Sequence, residues 1–166
     1  AVTTGSDLGL FPSTPSLEGP VAILDWEADA AEQADRMRRL ARGFGIKAPR
    51  DVWYRRESAP LASSADRIAE QLAQRHVVMA VVDSKGMAAA GAPEAAEETI
   101  RLFGAVRSLE VPTLVIDHAT KAGMREDPAK RMAFGSVYTT NAARLTWSLS
   151  GAWHTNKLSL RFDPGK

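Results

Sequence analysis

Val77-Val78-Met79-Ala80-Val81-Val82-Asp83-Ser84 (VVMAVVDS, residues 77–84) is the stretch on which the fold turns. Val77 to Val82 is apolar at every position and rich in β-branched valine, so neither face of a strand built from it is polar. Strands buried on both faces belong to covered parallel sheets. The run is far too short to span a bilayer. Working outward, the same pattern recurs twice. Val21-Ala22-Ile23-Leu24-Asp25 is a short apolar run that ends in acid, and Pro112 to Ile116 is another, followed by Asp117-His118. Val52-Trp53-Tyr54 is a shorter strand candidate.

Helical signals separate these runs. Asp29 can cap a helix with Glu32 three residues on, a helix that runs to about Arg42 with Gly43 as its stop. Met37, Leu40, Ala41 and Phe44 fall at helical spacing along it. Ser63 or Ser64 opens a second helix through Ile68 and Leu72 to Arg75. Pro93 suits the first position of a third, with Glu94, Glu97 and Glu98 in its first turns and Ile100, Leu102, Phe103, Val106 and Leu109 as its buried side. Residues 6–20 are dense in Gly, Pro and Ser and read as a loop. Residues 119–135 are charged and read as a further loop, and residues 136–143 as a short helix. Arg144 to Leu149 and Leu158 to Phe162 alternate with a period of two, as in a half-exposed hairpin turning near Gly151 to Asn156. Strand and helix alternate until the last two strands. The expectation is an α/β fold: a mostly parallel sheet flanked by helices, one domain over residues 1–166, with an antiparallel hairpin at the C-terminal end.

Composition narrows the function classes. The 21 Lys and Arg nearly balance the 20 Asp and Glu, and a net charge of +1 gives no global electrostatic case for nucleic acid or membrane. With no cysteine, disulfides, thiolate zinc sites and cysteine nucleophiles are excluded, which is compatible with a cytoplasmic protein. His76, His118 and His154 lack metal-ligand spacing. Arg36, Arg38, Arg39 and Arg42 form a basic stretch that reads as a solvated helix face.

The chemistry gathers at the strand ends. In open α/β sheets, ligands sit outside the carboxyl ends of the strands. Those ends carry Asp25-Trp26-Glu27, Asp83-Ser84 and Asp117-His118. A strand-end Asp such as Asp83 suits Mg²⁺ beside nucleotide phosphates. Glu27 is a candidate general base that could orient an attacking water. His118 could hydrogen-bond a γ-phosphate, or could be a strand-end histidine satisfied locally. Asp25 is the next candidate base, or a strand-end residue bonded to backbone.

At these residues the sequence resembles a family. Val21–Gly45 (VAILDWEADAAEQADRMRRLARGFG), Val77–Gly91 (VVMAVVDSKGMAAAG) and Leu114–Lys121 (LVIDHATK, with its His-x-x-Lys ending) look, in that order, like segments of RecA-like P-loop ATPases of the AAA-25/RepA helicase group. Gly135-Ser136 followed by Ala143-Arg144-Leu145-Thr146-Trp147 also matches. The resemblance implies ATP hydrolysis with Mg²⁺, coupled to translocation on or remodelling of DNA or RNA, by a homo-oligomeric ring. It implies Glu27 as the catalytic glutamate, Asp83 as the Walker B aspartate that holds Mg²⁺, and His118 as the γ-phosphate sensor. Lys121 becomes a cationic finger reaching a neighbouring subunit's nucleotide. Ser84 and Arg144 fall on the nucleotide-binding side, although the plain reading of Arg144 is a surface charge at a strand start.

One departure is large. The family's Gly-x-x-x-x-Gly-Lys-[Ser/Thr] loop, whose backbone N–H groups cradle the phosphates, does not occur in the 166 residues. The expectation is therefore an N-terminally truncated core, inactive alone, whose parent is the enzyme. Its missing strand would lie between the strand at 112–117 and the one at 144–149. The rival is a nucleotide-free binding or regulatory domain with a degenerate form of the same fold.

Overall fold

The computed structural model describes residues 18–92, 95–118, 137–155 and 157–165. Its main sheet is four-stranded and parallel, in the order β2-β1-β3-β4, from β1 (Val21–Asp25), β2 (Val52–Arg56), β3 (Met79–Asp83) and β4 (Thr113–Val115). A separate antiparallel hairpin pairs β5 (Trp147–His154) with β6 (Lys157–Pro164). The α/β architecture and the terminal hairpin are as the sequence implied, except that β6 is exposed on both faces rather than half-exposed. The hairpin's turn is tighter than expected: Gly151 sits inside β5 opposite Leu160, and the reversal falls at Thr155. No backbone pairing joins β4 to β5 among the described residues.

The core lies on one face of the sheet. Ala22, Leu24, Ala80 and Val82 alternate onto that face and are fully buried. They meet Leu61 of a single 3-10 turn, Ile68 and Leu72 of α2 (Ala65–Gln74), and Leu102 and Leu109 of α4 (Ala96–Ser108). Burying one such side chain contributes roughly 1.5–3 kcal/mol, so this cluster is the main adhesive between sheet and helices. The opposite face is less covered than β3's uninterrupted apolar run implied: Ile23 and Val81 are half-buried and Leu114 is 50% exposed.

Helix ends explain most differences from the sequence reading. Asp29 caps α1 (Ala30–Gly43) by accepting the N–H of Glu32 at 2.9 Å, but Glu32's own side chain turns to Arg36 instead of completing a capping box. Gly43 stays helical. The stop is Gly45, at φ +65°, where Gly45 N–H reaches Arg42 O and Ile46 N–H reaches Ala41 O in a Schellman closure. The expected apolar stripe of α1 is only partly used: Ala41 is buried, while Leu40 and Phe44 are exposed. Helix α2 closes the same way with His76 in the left-handed position at φ 52°, its N–H on Ala73 O and that of Val77 on Leu72 O. Helix α4 begins at Ala96, so the first position expected of Pro93 falls to Ala96, and Pro93 and Glu94 lie outside the described residues. Ile100 faces outward at 57% exposure, whereas Leu102, Phe103 and Leu109 are buried. Two single-purpose elements complete the chain, the one-turn α3 (Lys85–Ala88) directly after β3 and the short α5 (Val137–Ala142).

Candidate active site at the carboxyl edge of the sheet

Parallel pairing puts every strand's carboxyl end on one edge, and the register sets Asp25 of β1 directly beside Asp83 of β3. The residues that follow make the site.

Asp-Trp-Glu after β1 divides its labour by burial. Asp25 is fully buried. Its Oδ1 accepts the N–H groups of Glu27 (2.8 Å) and Ala28 (2.9 Å), and its Oδ2 accepts the side-chain amide of Gln33 at 2.6 Å. Burial pushes this carboxyl up, but the donors from Ala28, Gln33 and Glu27, with the charge of Arg36, outweigh it and hold the group below the ordinary carboxylate value. Of the two readings open for Asp25, the geometry selects the backbone-bonded strand end. Trp26 is buried; its indole N–H donates to Ala59 O at 2.9 Å and its backbone N–H extends the β1–β3 ladder to Asp83 O at 2.7 Å. With its neighbours so fixed, Glu27 projects from the edge, 39% exposed.

Glu27 Oε1 is the meeting point. It accepts the hydroxyl of Ser84 and lies 3.1 Å from His118 Nε2, so residues following three different strands converge on one oxygen. The Ser84 hydrogen bond, followed by that of His118, holds the Glu27 carboxyl below its usual value. Reciprocally, the bond to Glu27 and its charge raise His118 above the usual histidine value. His118 remains 69% exposed and can still reach a ligand. Glu27 Oε2 accepts no hydrogen bond from a described residue.

Asp83 behaves differently. Burial, followed by repulsion from Asp25 and Glu27, raises its carboxyl above the ordinary value, and no described group donates to it. A carboxylate crowded by two others and lacking a donor suits a cation, which would relieve the repulsion. Among the described residues no three His, Asp or Glu side chains gather to enclose a metal. Asp83 alone could hold an ion such as Mg²⁺, which commonly draws most of its ligands from water and substrate. The phosphate cradle finds no counterpart in the sequence: the Ser84-Lys85-Gly86 turn puts Lys85 inward at 1% exposure, against Asp117. The Asp83–Ser84 peptide is cis.

Of the residues singled out from sequence, Glu27, Asp83, Ser84 and His118 come together at this edge. Arg144 does not: β5 begins at Trp147, and Arg144 is exposed on the bend before it with no bond to the cluster. Lys121 lies outside the described residues. Sequence reasoning missed Gln33, which sits on the buried side of α1 and clamps Asp25, and the ion pair of Lys85 with Asp117. A lone polar residue in an amphipathic helix and a lysine after a strand carry no signal of burial.

With this geometry in place the comparisons are specific. The model of the AAA-25 family, described as an AAA domain, matches residues 1–124. The chain belongs to that family. Its fold is also that of a KaiC-like protein from the hyperthermophilic archaeon Pyrococcus horikoshii, with a TM-score of 0.59 at 15% identity, covering 89% of this chain and 65% of that one. The match is to the fold alone at such identity, and 155 solved chains in all match this one. No curated protein matches the chain. The AAA domain spans β1 to β4 and the whole Glu27–Ser84–His118 cluster. Among the described residues no helix is long and apolar enough to cross a membrane.

Proposed function

We propose that the chain carries the catalytic-carboxylate half of an ATP-hydrolysing motor core, and that the intact enzyme adds the glycine-rich phosphate loop to it. The observation that carries this reading is the convergence of Ser84 and His118 on one oxygen of Glu27, beside an Asp83 carboxylate that no described residue donates to.

In the proposed reaction, water attacks the γ-phosphoryl group in line with the leaving β–γ bridging oxygen. Glu27 Oε1 is held by Ser84 and His118, which leaves Oε2 to accept a hydrogen bond from that water and turn a lone pair towards phosphorus. Because Glu27 is held below its usual value, it is fully ionised at neutral pH. It orients the water and accepts the water's proton as the new P–O bond forms, while the bridging oxygen leaves with ADP. His118, raised by Glu27, keeps its proton further into the neutral range and can donate to a phosphoryl oxygen. Mg²⁺, held on Asp83, would neutralise charge on the β- and γ-phosphate oxygens. Lys121 is proposed as the finger that reaches a neighbour's nucleotide in a ring, and DNA or RNA as the track; both rest on the family resemblance. The basic stretch of α1 does not support the track, because Arg36 pairs with Glu32, and Arg38 and Arg39 with Asp35.

The test uses the full-length protein. Glu27→Gln should bind a fluorescent ATP analogue normally but release phosphate ~10²–10⁴-fold more slowly, the usual worth of a general base. Turnover within a few-fold of wild type would remove Glu27 from the chemistry. The rival, a nucleotide-free binding domain, draws on the absence of the Gly-x-x-x-x-Gly-Lys-[Ser/Thr] loop from these residues. It requires that calorimetry detect no ATP binding by the full-length protein.

A further inference from the structure

The meeting of Ser84 and His118 on Glu27 needs two strand ends held at a fixed offset, and one ion pair, its lysine buried and its aspartate partly so, spans them. Lys85 follows Ser84 and is 1% exposed, a depth at which lysine is almost always paired. Its ammonium lies 3.0 Å from Asp117 Oδ2, and its backbone N–H donates to Ile116 O at 2.8 Å. Asp117 uses its other oxygen to accept the N–H of His118 at 2.9 Å. The circuit closes on Glu27: Ser84 enters from one side of the Lys85–Asp117 pair and His118 from the other.

We propose that Lys85 is a positioning residue, whose ion pair with Asp117 sets the turn after β3 against the end of β4 so that Ser84 and His118 reach the same oxygen of Glu27. The inference rests on the reading of Glu27 as the water-orienting carboxylate. Two physical arguments carry it. A buried ion pair is a poor stability device, since apolar residues of similar volume often replace it without loss, but it holds its two charges in a narrow geometry. A small misplacement of a group that orients a reactant is expensive in rate, on the order of 10²-fold for 1 Å. The burial of Lys85 also removes it as a phosphate ligand, because its head faces Asp117 beneath the surface.

The experiment uses the full-length protein and two replacements. Lys85→Met with Asp117→Leu exchanges the pair for apolar volume. Asp117→Asn keeps the volume and the acceptor for His118 N–H while removing the charge that Lys85 faces. Each is read by thermal melting, by kcat and KM for MgATP, and by nuclear Overhauser contacts between the His118 ring and the Glu27 side chain. The expected result is a folded protein whose ring contacts are weakened or lost, with kcat ~10–100-fold lower and KM within about threefold. In a His118→Ala background the double replacement should lower kcat little further, as for residues acting through one path. Retained contacts with full kcat, an equal loss in the His118→Ala background, or unfolding of both variants would each overturn the positioning role. Glu27→Gln run alongside separates the two failures. If it still hydrolyses ATP, the reading of the site falls; if it is dead while the pair variants are fully active, only the role of Lys85 falls.

Discussion

Replacing Asp25 tests whether the acid beside Glu27 builds the site or works in it. Asp25→Ala removes an acceptor that serves three donors: the N–H groups of Glu27 and Ala28 and the amide of Gln33. The Ala28 and Gln33 donors are buried, and each unsatisfied buried donor costs roughly 1–3 kcal/mol, giving roughly 2–6 kcal/mol. Against a typical total of about 5–15 kcal/mol that is a large loss. Asp25→Asn keeps Oδ1 for the backbone donors and can present its amide to a flipped Gln33 side chain, so its cost should be about 1 kcal/mol. The assay is urea unfolding at pH 7, where a slope of ~1–3 kcal/mol per molar turns the alanine loss into a midpoint shift of at least about 0.7 M. The pH dependence has a definite sign. Asp25 is held below its unfolded value, so its contribution is complete above the ordinary carboxylate range and is lost as pH falls through the folded value. The gap between wild type and Asp25→Asn should therefore narrow in acid. If Asp25→Ala melts within about 0.5 kcal/mol of wild type, or if Asn and Ala cost the same, the clamp does not hold the turn and Asp25 returns as a candidate for the chemistry.

Asp83 should behave in the opposite sense. Its folded value is raised, so the folded state holds a proton that the unfolded state releases, and stability falls as pH rises through that interval. Asp83→Asn should then raise the unfolding midpoint at neutral pH while abolishing Mg²⁺-dependent hydrolysis in the full-length protein; a lower midpoint would contradict the crowding of Asp83 by Asp25 and Glu27. The His118 imidazole should titrate above the ordinary histidine value in an NMR pH series and fall back towards it in Glu27→Gln, and an unchanged midpoint would show that the two do not meet in solution. At the helix ends, Gly45→Ala should cost roughly 1–2 kcal/mol, because φ +65° disfavours any Cβ even though the space around it is open, whereas His76→Gly should cost nothing or stabilise. Equal and opposite results in thermal melts would mean that neither Schellman closure is held as described.

Much of the site was legible in the sequence because its signals are local. An apolar run that ends in acid marks a strand and its carboxyl edge whatever surrounds it, so β1, β3 and β4 and the residues Glu27, Asp83 and His118 could be named before their neighbours were known. The alternation in β5 and β6 likewise needs only the next residue but one. What the chain alone could not decide depends on residues far apart in it. Asp25 and Glu27 are two positions apart and chemically alike; only the pairing of β1 with β3 and the approach of Gln33 bury the first and leave the second at the edge. Lys85 reads as one more charged residue until β4 brings Asp117 to it, 32 positions away. Helix exits behave the same way: the sequence points to Gly43 as the stop of α1, and the backbone path into β2 assigns the left-handed position to Gly45 instead. Local chemistry determined which groups the edge carries, and tertiary burial decided which of them are bonded into the frame and which remain available for a reaction, because desolvation and hydrogen bonding depend on every element that packs against the strand ends.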